Sequence, residues 1–375
     1  MEKIVVKIGS QLIANGDGDL NREVIASLVG DAAGVIKAGK RIIMVSSGAV
    51  ASGRTAKELT GEFRVKEGGQ SKRLIREQML AAVGQPELMA VYKAEFKKHG
   101  LNCAQILVTR SDFSDRQKYL SLRTVTENLV SLGVIPIFNE NDVLSPEELD
   151  FSDNDQLSAM IAAMLVVDRL IILTNVAGVY DKDPKEKDAR LLGELEDIEK
   201  MIKSMGAGKS AVGRGGMKSK LITAAQITSL GIGMDIASGF EPTILSKMIL
   251  RNEKIGTHFK AIKKKIKPLK GWLSLAAHPK GRIITSCYLS EILKKRQLAS
   301  VLLSGIEGAE GDFKKGDVVA VCDVDGTILA KGQCRYGREE LLEEIRKYKD
   351  SHNEGERTEG GKKIAVHYDY LVFEK

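Results

Sequence analysis

The sequence predicts an α/β protein in which a mainly parallel sheet, covered on both faces by helices, is followed by a small β-rich domain. Three observations carry that expectation. Short apolar runs alternate with helical periodicities through the first 250 residues, a pattern that implies parallel strands with helices on both sides. At 375 residues the chain exceeds the size at which one core keeps growing, so two domains are expected. Charge divides in the same way: residues 260–375 carry 23 Lys+Arg against 17 Asp+Glu, leaving 34 against 33 for residues 1–259.

Taken in order, Lys3 to Ile8 reads as the first strand. Val24, Ile25, Leu28, Val29, Ala32, Val35 and Ile36 share one face of a helix that Gly39 ends. Arg41 to Val45 is the second strand, running into Ser46-Ser47-Gly48. The helical segment from about Leu74 to Lys98 reads as interrupted near Gly84 and Pro86. Strand Gln105 to Val108, helix 115–132, strand 134–138, helix 154–166, strand 169–173 and helix 217–229 continue the alternation. A lysine-rich stretch (Lys260, Lys263, Lys264, Lys265 and Lys267), ended by Pro268, marks the change of module. The expected domains are therefore 1–259, a basic linker 260–270, a β-rich domain 271–350 and a charged, mobile tail 351–375.

Composition narrows the class of function. Apolar residues make up 43% of the chain, enough for real cores. The longest apolar run, Met160 to Val167, is far short of the roughly 20 residues that cross a bilayer, and the chain reads without a signal peptide. Four scattered cysteines without a C-x-x-C pair indicate neither a disulfide framework nor a zinc site and suit a cytoplasmic location.

Ligands of open α/β sheets bind at the carboxyl ends of the strands. Four segments in register lie there: Lys7-Ile8-Gly9-Ser10, Ser46-Ser47-Gly48-Ala49, Asn139-Glu140-Asn141-Asp142 and Thr174-Asn175. Gly9 and Gly48 allow close backbone approach, and the helix starts that follow suit a phosphate or carboxylate. Asp153-Asn154-Asp155 opens a helix, where N-cap acids are an equally good reading. Arg214-Gly215-Gly216-Met217-Lys218-Ser219-Lys220 leads into helix 217–229 and puts Lys220 in its first turn, although a plain surface loop has the same composition.

The collinear order KIGS, SSGA, LAAVGQ, TRSDFSDR, NENDV, SDNDQLSA, LTNVAGVY and GRGGMKSK resembles the glutamate 5-kinases of the amino-acid kinase superfamily over residues 3–250. That resemblance implies a carbamate-kinase-like three-layer sandwich and transfer of the ATP γ-phosphoryl group to the γ-carboxylate of L-glutamate, the first step of proline biosynthesis. It implies Lys7 and Lys220 as catalytic cations held by Asp155. ATP would meet Lys7, Gly9, Ser10, Thr174, Asn175 and the Arg214, Gly215, Gly216, Met217, Lys218, Ser219, Lys220 loop. Glutamate would meet Ser47, Gly48, Asn139, Asp142 and Asn154, with Asp142 pairing the substrate ammonium. Mg2+ is expected through the ATP phosphates, with no metal ligand in the chain. Homo-oligomers and feedback inhibition by proline come from the resemblance alone. A carboxylate with a pKa of about 4.3 is already ionised, so the transfer requires no general base. None of the five histidines falls within these motifs.

This chain departs from the family pattern at Ser10, Ser152, Asn175 and Arg214, where Thr, Gly, Asp and a small residue are common. The last two change the charge beside the nucleotide. Segments 302–306, 311–319, 323–327 and 330–336 alternate short strands with glycine turns and resemble a PUA domain, a module that binds structured RNA. Cys287-Tyr288 stands where that family has Gly-Ala, which argues against RNA binding. Gly206-Ala207-Gly208-Lys209-Ser210 lacks the leading glycine of a P-loop, and Asp323-x-Asp325-Gly326-Thr327 reads as a hairpin turn. Two alternatives remain beside the glutamate kinase: another kinase of this fold, acting on acetylglutamate, aspartate or a nucleoside monophosphate, or an RNA-binding protein with a vestigial kinase fold.

Overall fold

The structure, a computed structural model, describes residues 1–15, 19–54, 72–144, 154–184, 186–204, 216–262, 267–297, 299–353 and 363–373. The chain divides into two compact units, Met1–Ile266 and Lys267–Lys375.

In the first unit the elements follow as β1 (Lys3–Ile8), α1 (Ser10–Ile13), α2 (Arg22–Lys37), β2 (Arg41–Ser46), α3 (Ala49–Gly53), α4 (Lys72–Lys98), β3 (Cys103–Val108), α5 (Arg110–Ser114), α6 (Arg116–Ser131), β4 (Ile135–Glu140), α7 (Asn154–Leu165), β5 (Arg169–Thr174), α8 (Ile198–Ser204), α9 (Met217–Ser229), β6 (Gly233–Ser238) and β7 (Thr257–Phe259). The strands form one sheet in the order β3-β4-β2-β1-β5-β6-β7, parallel throughout except for the β6–β7 pair. Because helices cover both faces, β1 has no exposed side: Ile4, Val5 and Val6 are all fully buried. Residues of α1, α2 and α4 join β1, β2 and β4 in one core cluster. On the other side α6, α7 and α9 pack against the strands.

The expected alternation is present, with three differences of physical interest. Helix α4 runs unbroken through Gly84 and Pro86. Gly84 is a packing residue, since a Cβ there would lie 2.0 Å from the Ala49 carbonyl oxygen and 2.3 Å from the Gly53 nitrogen. The helix expected over 115–132 is present as α6, and a separate short helix, α5, precedes it: Thr109 and Asp112 form a capping box for α5, and Asp115 then accepts from the Gln117 and Lys118 amides to start α6. Strands β3 and β4 extend beyond the runs expected for them, β3 by two residues at its start and β4 by two at its end. At the amino-terminal rim, buried Asp235 pairs with Arg169 and His258, tying β5, β6 and β7 together. Burial pushes the Asp235 carboxyl up, but its two partners more than offset this and hold it below the usual carboxylate range.

The second unit comprises α10 (Pro268–Leu275), β8 (Gly281–Thr285), α11 (Cys287–Lys294), β9 (Val301–Leu302), β10 (Ile306–Gly311), β11 (Val318–Cys322), β12 (Ile328–Gln333), α12 (Arg338–Asn353), β13 (Ile364–Val366) and β14 (Leu371–Phe373). Five strands form a mixed sheet, β10-β8-β11-β12-β14, and β13 pairs with β9. The segment expected as a charged tail outside this domain supplies two of its strands, and Val366 and Leu371 enter its core. The mobility expected of residues 351–363 falls largely outside the described residues. Asp323 does make a turn: its Oδ1 accepts from the Asp325 and Thr327 amides, and Gly326 takes φ +83°.

Candidate active site

The strand register brings the sequence segments singled out above to one rim of the sheet. Ile8 lies level with Ser46 on one side and Leu173 on the other, and Val45 lies level with Phe138, one residue before Asn139. The carboxyl ends of β1, β2, β4 and β5 therefore open side by side.

Three charged side chains from distant parts of the chain meet there. Lys7 is the penultimate residue of the central strand, Asp155 lies in the first turn of α7, and Lys220 lies in the first turn of α9. Lys7 Nζ stands 2.7 Å from Asp155 Oδ1, and Lys220 Nζ donates to Asp155 Oδ2 at 2.9 Å. All three are buried, with Asp155 fully so. Burial alone would raise the Asp155 pKa. The two ammonium groups outweigh it and hold the carboxylate below its usual range. The cluster carries a net charge of +1 in a low-dielectric environment, where an anion such as a phosphoryl oxygen is its natural complement.

Beside this cluster the residues expected to meet the amino acid form a hydrogen-bonded group. Asn154 Nδ2 donates to the Ser46 carbonyl (3.0 Å), to Ser47 Oγ (2.9 Å) and to Asn139 Oδ1 (3.1 Å). Gly48 sits at φ +109°, a left-handed conformation that favours glycine, and starts α3. Asp142 lies two residues past the end of β4. Sequence reasoning missed two members of the group. Gln85 Oε1 accepts from Asn139 Nδ2 at 2.8 Å, and Tyr92 pairs with Ser46 Oγ at 2.9 Å, all four side chains being buried. Burial raises the Tyr92 phenol far above its ordinary value, so it stays protonated. The signal was a polar residue and a tyrosine seven positions apart on the buried face of α4.

The residues expected at the nucleotide occupy the neighbouring part of the rim. Gly9 donates its amide to the Leu173 carbonyl, which brings the first turn against β5. Thr174 is buried and Asn175 exposed, and Thr174 Oγ1 donates to Asn175 Oδ1 at 3.3 Å. The loop after them is anchored to β7, since Val179 N donates to Thr257 Oγ1 and that hydroxyl donates to the Leu192 carbonyl. Gly216 is the N-cap of α9 with no side-chain cap, and Met217, Lys218 and Ser219 form its first turn with Lys220. Ser10 begins α1 and is exposed. Arg214, Gly215, Ser152 and the 206–210 segment lie outside the described residues. Among the described residues no cluster of three or more metal-ligating side chains occurs.

Comparison with known proteins agrees with this architecture. The signature of the amino acid kinase family matches residues 2–238, which places the first unit in that class, and the PUA domain signature matches residues 290–352. A glutamate 5-kinase from Chlorobaculum tepidum is 37% identical over 98% of this chain and 96% of its own length. One from Geobacter metallireducens is 36% identical over 91% of this chain and 89% of its own length. The chain belongs to the glutamate 5-kinase family.

Proposed function

We propose that this protein transfers the γ-phosphoryl group of ATP to the γ-carboxylate of L-glutamate, giving L-glutamyl 5-phosphate, the first step of proline biosynthesis. The observation that carries the chemistry is the buried Lys7–Asp155–Lys220 cluster with its excess positive charge. A γ-phosphoryl group in flight spreads negative charge over its oxygens, and positioned cations lower the barrier by meeting that charge. In this reading Asp155 holds the two ammonium groups in place and keeps them apart. The glutamate γ-carboxylate oxygen attacks phosphorus while the bond to the β-phosphate oxygen breaks, and ADP leaves with that electron pair.

Thr174, Asn175 and the start of α9 hold the nucleotide. Ser47, Gly48, Asn139, Asp142 and Asn154 hold glutamate, with Asp142 opposite its ammonium. A divalent cation, Mg2+ in this reading, is brought by the nucleotide on its own phosphate oxygens. Both oxygens of Asp155 are engaged by lysines, so that residue is not assigned to it.

The same reading includes a cytoplasmic enzyme, which four unpaired cysteines suit, assembly into homo-oligomers and inhibition by proline. The second unit is assigned to assembly or regulation ahead of RNA binding, because α11 opens with Cys287-Tyr288 in place of the family's Gly-Ala pair. An assay of ATP consumption across glutamate, acetylglutamate, aspartate and nucleoside monophosphates, with hydroxylamine trapping of the acyl phosphate, tests the substrate. Turnover with glutamate alone is expected, and a preference for acetylglutamate, which lacks the ammonium, would refute it.

A further inference from the structure

The LAAVGQ run of α4 takes no part in the chemistry above, yet its last residue reaches the glutamate group. Gln85 is only 7% exposed and Asn139 3%. Asn139 uses both ends of its amide. Its Oδ1 accepts from the Glu140 amide (2.9 Å) and from Asn154 Nδ2 (3.1 Å), while its Nδ2 donates to Gln85 Oε1 (2.8 Å). Turning the Asn139 amide over would set donor against donor on one side and acceptor against acceptor on the other, so the network admits one orientation.

That orientation propagates. With Asn139 Oδ1 as one acceptor and the Ser46 carbonyl and Ser47 Oγ as the others, Asn154 commits its N–H donors to the protein. Its carbonyl oxygen, across Cγ, is then directed away from all three.

We propose that Gln85 is a positioning residue for the amino-acid substrate: through Asn139 it fixes the polarity of Asn154, so that Asn154 presents an acceptor to the substrate ammonium. The inference rests on the glutamate reading and deepens it. Recognition of the ammonium is then shared between the charge of Asp142 and a neutral carbonyl set in place from α4. A neutral acceptor supplies direction without a second negative charge beside the half-buried Asp142.

The test compares wild type with Gln85→Met, which keeps length and loses the polar head, and Gln85→Glu, which keeps an acceptor in either protonation state. Steady-state kinetics separate KM for glutamate, KM for ATP and kcat, and thermal melting reports folding. Gln85→Met should raise the glutamate KM on the order of tenfold, with kcat and the ATP KM nearly unchanged, and Gln85→Glu should restore the glutamate KM. A folded Gln85→Met enzyme with an unchanged glutamate KM overturns the inference, as does a parallel rise in both KM values, the mark of a merely structural residue. If Gln85→Met does not fold, Gln85→Glu decides: a wild-type glutamate KM supports the role and a raised one overturns it. A wild-type enzyme that turns over no glutamate sinks the functional reading, and this one with it.

Discussion

Asp155 stands between two ammonium groups at 2.7 and 2.9 Å, and each of the three side chains depends on the other two. Removing one lysine leaves a neutral pair where the proposed transfer calls for a net positive charge. Lys220→Ala should therefore lower kcat by at least about a hundredfold, with a smaller change in the glutamate KM. Near-normal turnover, measured by coupled ADP release, would remove Lys220 from the chemistry. Asp155 also links stability to pH. Its folded pKa lies below the ordinary 3.8, so its contribution is fully present above that value and is lost as pH falls through the folded one. The stability difference between wild type and Asp155→Asn, read from urea denaturation, should stay constant from neutral pH to about pH 5 and shrink only in stronger acid. A difference that already shrinks between about pH 7 and pH 5 would contradict this.

At the level of elements, the contact of α3 with α4 sets the part of the rim proposed to hold the substrate. A Cβ on Gly53 would lie 1.9 Å from the Leu80 carbonyl oxygen, and Gly84 meets α3 backbone just as closely, so the two helices touch main chain to main chain. Gln85 follows Gly84 directly and owes its reach to that approach. Gly84→Val should cost at least about 1–3 kcal/mol in chemical denaturation and raise the glutamate KM as Gln85 is displaced. Gly193→Ala, where a Cβ meets nothing within 4 Å, should change neither. These helices also mark the limit of what was legible. Glycine and proline read locally as punctuation, and nothing within α4 says that Gly84 faces another backbone. Strand ends at the rim were legible because apolar runs stopping at small or polar residues are a local pattern. The Gln85–Asn139 bond, across 54 positions, is visible only once the sheet and α4 are assembled.

For the molecule as a whole, every residue assigned to ATP or glutamate lies before residue 221, inside the first unit. The change in charge near residue 260 announced a second unit, but its extent was harder to read. Ile364–Val366 and Leu371–Phe373 are three-residue strands with no periodicity of their own, and they become strands only by pairing with β9 and β12. A domain with its own core can be cut away at a linker, so truncation after residue 266 should leave a cooperatively folding kinase with turnover near that of the full chain. A truncated protein that folds but has no kinase activity would refute the independence of the two units. Truncation after residue 362, in contrast, should unfold the second unit by removing β13 and β14.

The place of β1 in its sheet also bears on how the chain reaches the native state. Its neighbour β2 ends at Ser46, but the strand that covers its other edge, β5, begins at Arg169. On a ribosome the gap corresponds to on the order of ten seconds of synthesis, during which an apolar, unpaired strand edge stays open. Sequence-distant parallel pairing is also slow in refolding. Aggregation during overexpression should therefore compete most strongly before β5 docks, and slower synthesis at lower temperature would not by itself close that edge sooner.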